Sequence, residues 1–393
     1  MTNTRAELNV LALNSGSSSL KFGLYRVGPS QLDILLSGKA EAIDNTTWRF
    51  QARNSRNRSL LSETLSSSSQ RDAITRIGRL LTDSGMPAPC AIGHRIVHGG
   101  PKLRQHCLID DKVLQQLEAA TAFAPLHIPS ALSAIRFAQE HFAGLPQVAC
   151  FDTTFHAELP NVARVLPIPR ELLSEGIHRY GFHGLSCESV VHQLSRDLPS
   201  RLIIAHLGNG ASVTAVRDGG SIDTSMGLTP SGGVIMGTRS GDLDPGVLIY
   251  LMREKKLDAS ALEELIDHRS GLLGVSGVGS DMRRLHEAAS SSVHARLAIE
   301  MFCYSVRKQV AAMISALGGV DLFVFTGGIG ENDAQARAMI CSGLSWAGAS
   351  LDEARNMTAS DPISDSLSGF AVRVLPSQEA EQIAHHTWAL LHS

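Results

Sequence analysis

The sequence predicts a mixed α/β fold built from two domains. Its 393 residues exceed what one hydrophobic core usually organises. Strand patterns alternate with helix patterns along the chain, as they do in α/β domains. Two similar β-hairpin patterns, one beginning near residue 10 and one at residue 201, each open one half of the chain. We therefore expect a duplicated architecture with a cleft between the halves.

The first half begins with strands at Val10 to Leu13 and Lys21 to Val27, joined by a Gly/Ser turn. The polar stretch 45–70 has no sustained period and is predicted to form exposed connections with short edge strands. Further on, apolar residues at helical spacing predict helices, and short apolar runs predict strands between them. The helices are 72–85, 110–124 and 128–142, and the strands are 91–97 and 147–151.

The second half contains the hairpin pattern at 201–220. A long helix is predicted at 290–319, a buried strand running into a glycine-rich turn at 320–332, and a closing helix at 378–393. The domain boundary is placed where the second half begins, because no linker separates the halves. The predicted domains are 1–153, which the C-terminal helix 381–393 rejoins, and 154–380.

Composition limits the kind of partner. The formal net charge is -3 with both signs scattered, so we expect neither a basic face for a nucleic acid nor a polybasic segment for a membrane surface. No apolar stretch reaches the roughly 18–20 residues of a membrane span, and no signal peptide is recognisable. We expect a cytoplasmic protein with small-molecule partners. Six widely spaced cysteines without a CxxC favour free thiols over disulfides or a metal site.

Three glycine-rich segments follow apolar strands, where backbone can approach a phosphate or a nucleobase closely. NSGSSSLK, at 14–21, offers backbone N–H groups, serine hydroxyls and one ammonium group. It lacks the Walker A pattern, so a plain polar turn is an equal alternative. HLGNGAS at 206–212 and FTGGIGEN at 325–332 place glycines directly after a strand. Since no Rossmann GxGxxG is present, the three together favour a nucleotide site of another type.

Two arginines in Gly-bordered loops suit an anion clamp. GHRIVHGG contains Arg95 and MGTRSGDLDP contains Arg239, and the guanidinium fork matches phosphoryl and carboxylate oxygens. A surface ion pair is the alternative for each of them. The acidic residues of FDTTFH and PSQEAE could bind Mg²⁺ or orient the arginines, although capping is the usual role of Asp near Gly or Pro. No HExxH and no GxSxG is present, so neither a zinc hydrolase nor a serine hydrolase is favoured.

Taken in order, these segments resemble the acetate kinase family over nearly the whole chain. The motifs that carry the resemblance are LALNSGSSSLKF, GHRIVHGG, APLHIPS, FDTTFH, RYGFHGLS, HLGNGAS, MGTRSGDLDP, FTGGIGEN and PSQEAE. The resemblance implies the fold of acetate and sugar kinases, actin and Hsp70, in which two ribonuclease-H-like domains surround a nucleotide cleft. It also implies a homodimer.

The resemblance also implies roles for individual residues, grouped here by the ligand they would serve. The implied catalytic residues are Arg95, Asp152, His183 and Arg239. The implied metal ligands, for Mg²⁺ or alternatively Mn²⁺, are Asn14 and Glu379. The implied contacts with the carboxylate substrate are Arg95, Val97, Leu126, His127, Phe182 and Pro230. The implied nucleotide contacts are Ser17, Ser19, Lys21, His206, Leu207, Gly208, Asn209, Gly210, Asp281, Met282, Arg283, Gly327, Gly328, Ile329, Gly330 and Asn332.

The implied reaction is reversible transfer of the γ-phosphoryl group of ATP to acetate, giving acetyl phosphate and ADP. A carboxylic acid with a pKa near that of Glu, about 4.3, is ionised at pH 7, so the nucleophile needs no general base. It needs charge cancellation, which two arginines, a histidine donor and Mg²⁺ can supply. We therefore predict direct in-line transfer without a phosphoenzyme.

The chain departs from the family pattern at several positions, of which one bears on the substrate. Ser231 and Gly232 stand where family members commonly read TPLEG, directly after Pro230 of the implied acyl pocket. Propionate or another short-chain carboxylate is therefore the alternative substrate, since one methylene shifts discrimination by only about 1–3 kcal/mol. A non-catalytic nucleotide-binding module of the same fold and a phosphohydrolase are the alternatives from other classes.

Overall fold

The structure is a computed structural model that describes residues 6–16, 19–43, 47–66, 69–125 and 127–393. Within these ranges the chain forms two compact units. Unit 1 comprises Met1–Thr154 and Gln378–Ser393, and unit 2 comprises Phe155–Ser377. Each unit has its own β-sheet with helices packed on it, so the predicted α/β fold class is confirmed.

Unit 1 is built on an eight-stranded sheet. Its strands are β1 (Leu8–Ser15), β2 (Ser19–Val27), β3 (Leu32–Ala42), β4 (Trp48–Asn54), β5 (Ser59–Leu65), β6 (Ala91–Ile96), β7 (Cys107–Leu108) and β8 (Gln147–Phe151). They lie in the order β5-β4-β3-β2-β1-β6-β8-β7. β1 pairs antiparallel with β2 and parallel with β6, and β6 pairs parallel with β8. The predicted first hairpin and the two later strands are confirmed.

Four helices cover this sheet. They are α1 (Gln70–Asp83), α2 (Asp111–Ala119), α3 (Ile128–His141) and, from the C-terminus, α15 (Glu379–Leu391). The Asp110 side chain caps α2 by accepting from the Val113 N–H, and Pro129 lies in the first turn of α3, where its missing N–H is not needed. The apolar side of α1 joins a core with Leu24 and Phe50 of the sheet. The predicted helices are confirmed, although the second ends at Ala119 rather than at 124.

For the residues that the structure describes within 45–70, the predicted edge strands are confirmed, and the prediction that the rest forms exposed connections was wrong. β4 and β5 extend the sheet by two full antiparallel strands. Trp48, Phe50 and Ala52 alternate along β4 and are buried, and the Phe50 ring stacks on Phe22 at 5.2 Å between centroids. Only one face of these strands is buried, so the polar residues of the other face hid the period of two.

Unit 2 is built on a five-stranded sheet. Its strands are β9 (Arg201–Leu207), β10 (Ala211–Arg217), β11 (Gly220–Thr224), β12 (Leu322–Thr326) and β13 (Ala371–Val374). Its helices are α4 (Asn161–Arg164), α5 (Glu171–Ser174), α6 (Gly184–Gln193), α7 (Pro245–Glu254), α8 (Ala259–Glu263), α9 (Gly271–Ser276), α10 (Met282–Ala288), α11 (Val293–Leu317), α12 (Gly327–Asn332), α13 (Ala334–Ser342) and α14 (Glu353–Thr358). The predicted second hairpin is β9 with β10, and the long predicted helix is α11, which packs on both strands.

The two sheets share one strand plan. Unit 2 has the order β11-β10-β9-β12-β13, with β9 antiparallel to β10 and parallel to β12, and β12 parallel to β13. Unit 1 contains the same plan as β3-β2-β1-β6-β8. The duplication expected from the two hairpins is therefore present in the topology. None of the helices in the described ranges is long and apolar enough to cross a membrane.

Candidate active site

A polar cluster of unit 1 lies where three parallel strands end. Asn14 is near the end of β1, Arg95 is near the end of β6, and Asp152 directly follows β8. Glu379, the first residue of α15, completes what we call the unit 1 cluster. Because the carboxyl ends of parallel strands meet at one edge of a sheet, residues far apart in sequence come together here.

Hydrogen bonds connect the four side chains of the unit 1 cluster. Arg95 Nε donates to Asp152 Oδ2 at 2.8 Å, and a second guanidinium nitrogen, Nη2, donates to the same oxygen. Arg95 Nη1 donates to Asn14 Oδ1 at 3.3 Å. Asn14 Nδ2 in turn donates to Glu379 Oε2 at 2.8 Å. The cluster is therefore one network that holds the guanidinium in a fixed orientation.

Burial makes this network electrostatically strong. The Asp152 side chain is fully buried and that of Arg95 is 17% exposed. Burial opposes the charge of Arg95, but the carboxylates of Asp152 and Glu379 outweigh it, and the net effect is to raise the pKa of Arg95. The guanidinium is charged at every working pH, and a fixed cation of this kind can bind a carboxylate or phosphoryl oxygen.

The oxygens of Asn14 and Glu379 fit a small divalent cation. The two side chains are hydrogen-bonded to each other and provide one amide oxygen and one carboxylate group, which are donor types that Mg²⁺ prefers. Mg²⁺ commonly takes one or two such ligands and completes its shell with water and phosphate oxygens. The residues of this edge therefore suit a nucleotide-bound metal.

Other predicted residues of unit 1 surround the β1–β2 turn and the end of β6. Ser19 begins β2, and its carbonyl accepts from the Gly16 N–H at 2.7 Å. Lys21 is exposed and lies opposite Asn14 in the strand register. Val97, directly after β6, is buried, and His127 is the N-cap residue of α3. Two further predicted residues, Ser17 and Leu126, lie outside the described residues.

In unit 2 the predicted histidines and arginine come together. His183 is the N-cap residue of α6 and its Nδ1 lies 2.9 Å from Ser212 Oγ on β10. Its ring stacks on His206 at 4.2 Å between centroids. His183 has φ +58°, a left-handed conformation that costs a non-glycine residue about 1–3 kcal/mol.

Arg239 lies beside this histidine. Its Nη1 donates to the carbonyl oxygen of Pro230 at 3.2 Å. A Cβ placed on Gly210 would lie 3.1 Å from His183 Nε2 and 3.5 Å from Arg239 Nη1. The glycine therefore allows the backbone to approach both groups, which can act together on one anion. Phe182, the residue before His183, is buried.

A cavity of about 1000 Å³ in unit 2 is lined by half of the predicted nucleotide contacts. Its predicted lining residues are Gly208, Asn209, Asp281, Met282, Arg283, Gly328, Ile329 and Asn332. They come from the β9–β10 turn, the start of α10 and the helix α12. The other five predicted contacts of unit 2 do not line the cavity: His206 and Leu207 end β9, Gly210 ends the turn, and Gly327 and Gly330 belong to α12.

Four lining residues were missed by the sequence analysis. They are Ser280, His286, Asp333 and Gln335. His286 Nε2 and Asp333 Oδ2 are 2.8 Å apart, which links α10 to the cap of α13. His286 lies three residues after Arg283 on the same helix, so helical spacing from a predicted residue could have found it. Arg283 also hydrogen-bonds Asp281 at 2.7 Å, and this bond lowers the pKa of Asp281.

Comparisons with known proteins identify relatives of this chain over nearly its whole length. The family model described as the acetokinase family matches residues 9–385. An acetate kinase of Rhizobium meliloti is 43% identical over 390 residues, which are 97% of this chain and 98% of that protein. Among solved structures, a propionate kinase from Francisella tularensis has a TM-score of 0.90 at 38% identity, covering 98% of this chain and 100% of that one. The acetate kinase of Porphyromonas gingivalis has a TM-score of 0.84 at 35% identity, with the same coverage.

The fold and these matches define a phosphotransferase whose acceptor is a carboxyl group. The chain belongs to the acetokinase family. The predicted family, fold type and enzyme class are thereby confirmed, and a kinase of this family uses a nucleotide as its phosphoryl donor.

Proposed function

We propose that the protein transfers the γ-phosphoryl group of ATP to acetate, reversibly and with Mg²⁺, to give acetyl phosphate and ADP. The observation that carries the proposal is the unit 1 cluster, in which one partly buried cation and two side chains with metal-type oxygens form a single network. A non-catalytic nucleotide-binding module has no need of such a cluster. The relatives named acetate kinase support acetate as the acceptor.

The residue types suit a reaction between two anions. An acetate ion is already a competent nucleophile at pH 7, so the protein has to hold it against an anionic phosphoryl group. In this proposal Arg95 binds the carboxylate and phosphoryl groups, and Asp152 orients the guanidinium group of Arg95. Arg239 and His183 donate to the oxygens of the phosphoryl group as charge develops there. Transfer is direct, and trapping of a covalent phosphoenzyme from labelled ATP would contradict it.

Mg²⁺ would be held by Asn14 and Glu379. Its contribution would be to neutralise charge on the phosphate oxygens, and Mn²⁺, which also takes oxygen ligands, is an alternative ion. The nucleotide would occupy the cavity of unit 2, where glycines leave the backbone open to the ligand. Ser17, Ser19 and Lys21 would contact its phosphates, because they provide hydroxyls and one ammonium group.

Propionate is the second candidate acceptor, and one observation favours it. The solved structure with a TM-score of 0.90 to this chain is named a propionate kinase. The proposed contacts with the acyl group are Val97, Leu126, Phe182 and Pro230, and His127 is a further proposed substrate contact. One methylene against apolar side chains changes discrimination by about 1–3 kcal/mol, or about 10–200-fold, so the two acids are separable by rate.

The decisive experiment is trapping of the acyl phosphate with hydroxylamine. Purified protein with Mg·ATP is offered formate, acetate, propionate and butyrate in parallel, and kcat/KM is measured for each. We expect the highest value with acetate. A maximum at propionate would retain the mechanism and change the substrate. ATP hydrolysis without acyl phosphate, unaffected by any acid, would refute the proposal in favour of a phosphohydrolase.

We also propose that the protein is a homodimer and that α7 lies in its interface. No residue of α7 is buried, although Val247, Ile249, Tyr250 and Met252 are apolar or aromatic. A helix with this much exposed apolar surface normally packs against a partner. Ile249→Lys should shift sedimentation toward the monomer. Val293→Lys, at an exposed site on α11, is the control, and a wild-type protein that is monomeric at micromolar concentration would refute the dimer.

We further propose a cytoplasmic location. All six cysteines are free thiols and four of them are buried. A reducing compartment keeps thiols in this state.

A further inference from the structure

His156 is a buried histidine of unit 2 that the mechanism above does not use. It is 2% exposed, and both ring nitrogens have partners. Nδ1 lies 2.8 Å from Ser221 Oγ, and Nε2 lies 3.0 Å from the carbonyl oxygen of Phe182. The second contact reaches the residue directly before His183.

These partners define the tautomer of His156. A carbonyl oxygen can only accept, so Nε2 carries the hydrogen and donates it to Phe182. Nδ1 is then the acceptor for the hydroxyl of Ser221. Burial lowers the pKa of His156 to about 4, which keeps the ring neutral and this arrangement intact at pH 7.

The bond to Phe182 acts on the backbone of His183. The carbonyl group of Phe182 and the N–H of His183 belong to one planar peptide unit. Fixing that plane limits the rotation about the His183 N–Cα bond, where φ has the unfavourable value of +58°. A left-handed conformation of this kind persists only where surrounding contacts determine it.

The same loop lies tightly against the His156 ring. A Cβ on Gly181 would lie only 2.7 Å from His156 Cγ, and Gly181 itself has φ +76°. The N–H of Tyr180, in the same loop, donates to the carbonyl oxygen of Gly227 at 3.0 Å. The His156 ring and this backbone hydrogen bond therefore restrain the loop just before His183.

We propose that His156 is a positioning residue for phosphoryl transfer, which acts by holding the peptide unit between Phe182 and His183 and so aims the His183 ring. It touches neither substrate nor metal in this scheme. The inference rests on the proposed role of His183. It predicts that loss of the Nε2 donor lowers turnover without weakening nucleotide binding.

The test compares a variant that loses both hydrogen bonds of His156 with a variant that loses only the bond at Nδ1. His156→Phe keeps a ring but loses the donor to Phe182, whereas Ser221→Ala keeps that donor and loses the hydrogen bond at Nδ1. We expect kcat to fall at least about tenfold in His156→Phe, with KM for ATP changed less than about twofold. Ser221→Ala should also lower the melting temperature, because it leaves the buried Nδ1 without its partner, but keep kcat within about threefold of wild type. His156→Gln, whose amide can donate in place of Nε2, should restore most of the turnover.

The outcomes separate this inference from the proposed function. Equal kcat losses in His156→Phe and Ser221→Ala would show a merely structural role and overturn the inference, as would wild-type kcat in His156→Phe. His156→Met is a second variant without the donor, for the case in which His156→Phe does not fold. His183→Ala is measured beside them: near wild-type turnover there would refute the role of His183. A large loss in His183→Ala with no loss in the His156 variants would refute the positioning role alone.

Discussion

Replacing Asp152 by Asn should destabilise unit 1 strongly, because it removes one partner of a buried ion pair. Asp152 is fully buried and receives two hydrogen bonds from Arg95, which is 17% exposed. Breaking a buried pair in this way costs about 3–5 kcal/mol, since a buried charge is left uncompensated. Arg95 keeps its bond to Asn14 and the nearby carboxylate of Glu379, so we place the loss near the lower value, about 3 kcal/mol.

Urea unfolding at pH 7 can measure this loss in unit 1 alone. Trp48 and Trp388 are buried in unit 1, whereas Trp346, the third tryptophan, is an exposed residue of unit 2. In a Trp346→Phe background the fluorescence change therefore reports the unfolding of unit 1. Asp152→Asn is compared with its parent in that background, at matched protein concentration.

A surface ion pair of the same unit provides the control. Arg136 and Glu118 are 55% and 50% exposed, and Glu118→Gln should change the free energy of unfolding by no more than about 1 kcal/mol. If Asp152→Asn costs no more than Glu118→Gln, the ion pair does not hold the unit 1 cluster. The network would then not be what fixes the position of Arg95.

Three further predictions test other parts of the molecule. Burial lowers the pKa of His94 to about 4, so between about pH 6.5 and 4 the unfolded protein binds a proton at this histidine that the folded protein does not. The free energy of unfolding should therefore fall by up to about 3 kcal/mol as the pH drops across this range, and urea midpoints should vary less with pH in His94→Gln. Glu379→Gln should raise the Mg²⁺ concentration for half-maximal activity at least about tenfold, and an unchanged titration would exclude Glu379 as a ligand. Gly210→Ala should lower kcat because its Cβ would lie 3.1 Å from His183 Nε2, whereas Gly279→Ala, with nothing within 4 Å, should leave kcat unchanged.

Much of the fold could be predicted because its signals are local. Apolar runs separated by Gly/Ser turns marked both hairpins, and Asp110 and Pro129 marked the starts of two helices. The strands β4 and β5 were predicted only as short edge strands among exposed connections, because their signal is carried by alternate residues such as Phe50, while neighbouring polar residues dominate the composition. A half-buried strand at the side of a sheet resembles a loop unless its period of two is counted.

The site was predictable in its residue types but not in its contacts. Asn14 and Glu379 are 365 positions apart, and only the folded chain shows that their side chains hydrogen-bond. His156 was not predicted at all, because its residue type gave no signal. It is one of sixteen histidines, and nothing in its local sequence distinguishes a ring that holds a catalytic loop from one that fills a core. Its role follows from two contacts made across the fold, with Ser221 and with the backbone of Phe182.

The shared strand plan explains why both units carry candidate residues at the same kind of place. In unit 1, β6 and β8 run parallel to β1, so Arg95 and Asp152 reach the edge where the β1–β2 turn lies. In unit 2, β12 runs parallel to β9, and Thr326 pairs in register with His206, so Gly327 and Gly208 follow at the corresponding edge. Carboxyl ends of parallel strands leave their next residues free of the ladder and available to a ligand. The duplication therefore gives each unit an equivalent sheet edge. The edge of unit 1 carries Arg95 and the acidic side chains, and the edge of unit 2 carries the glycines next to the cavity.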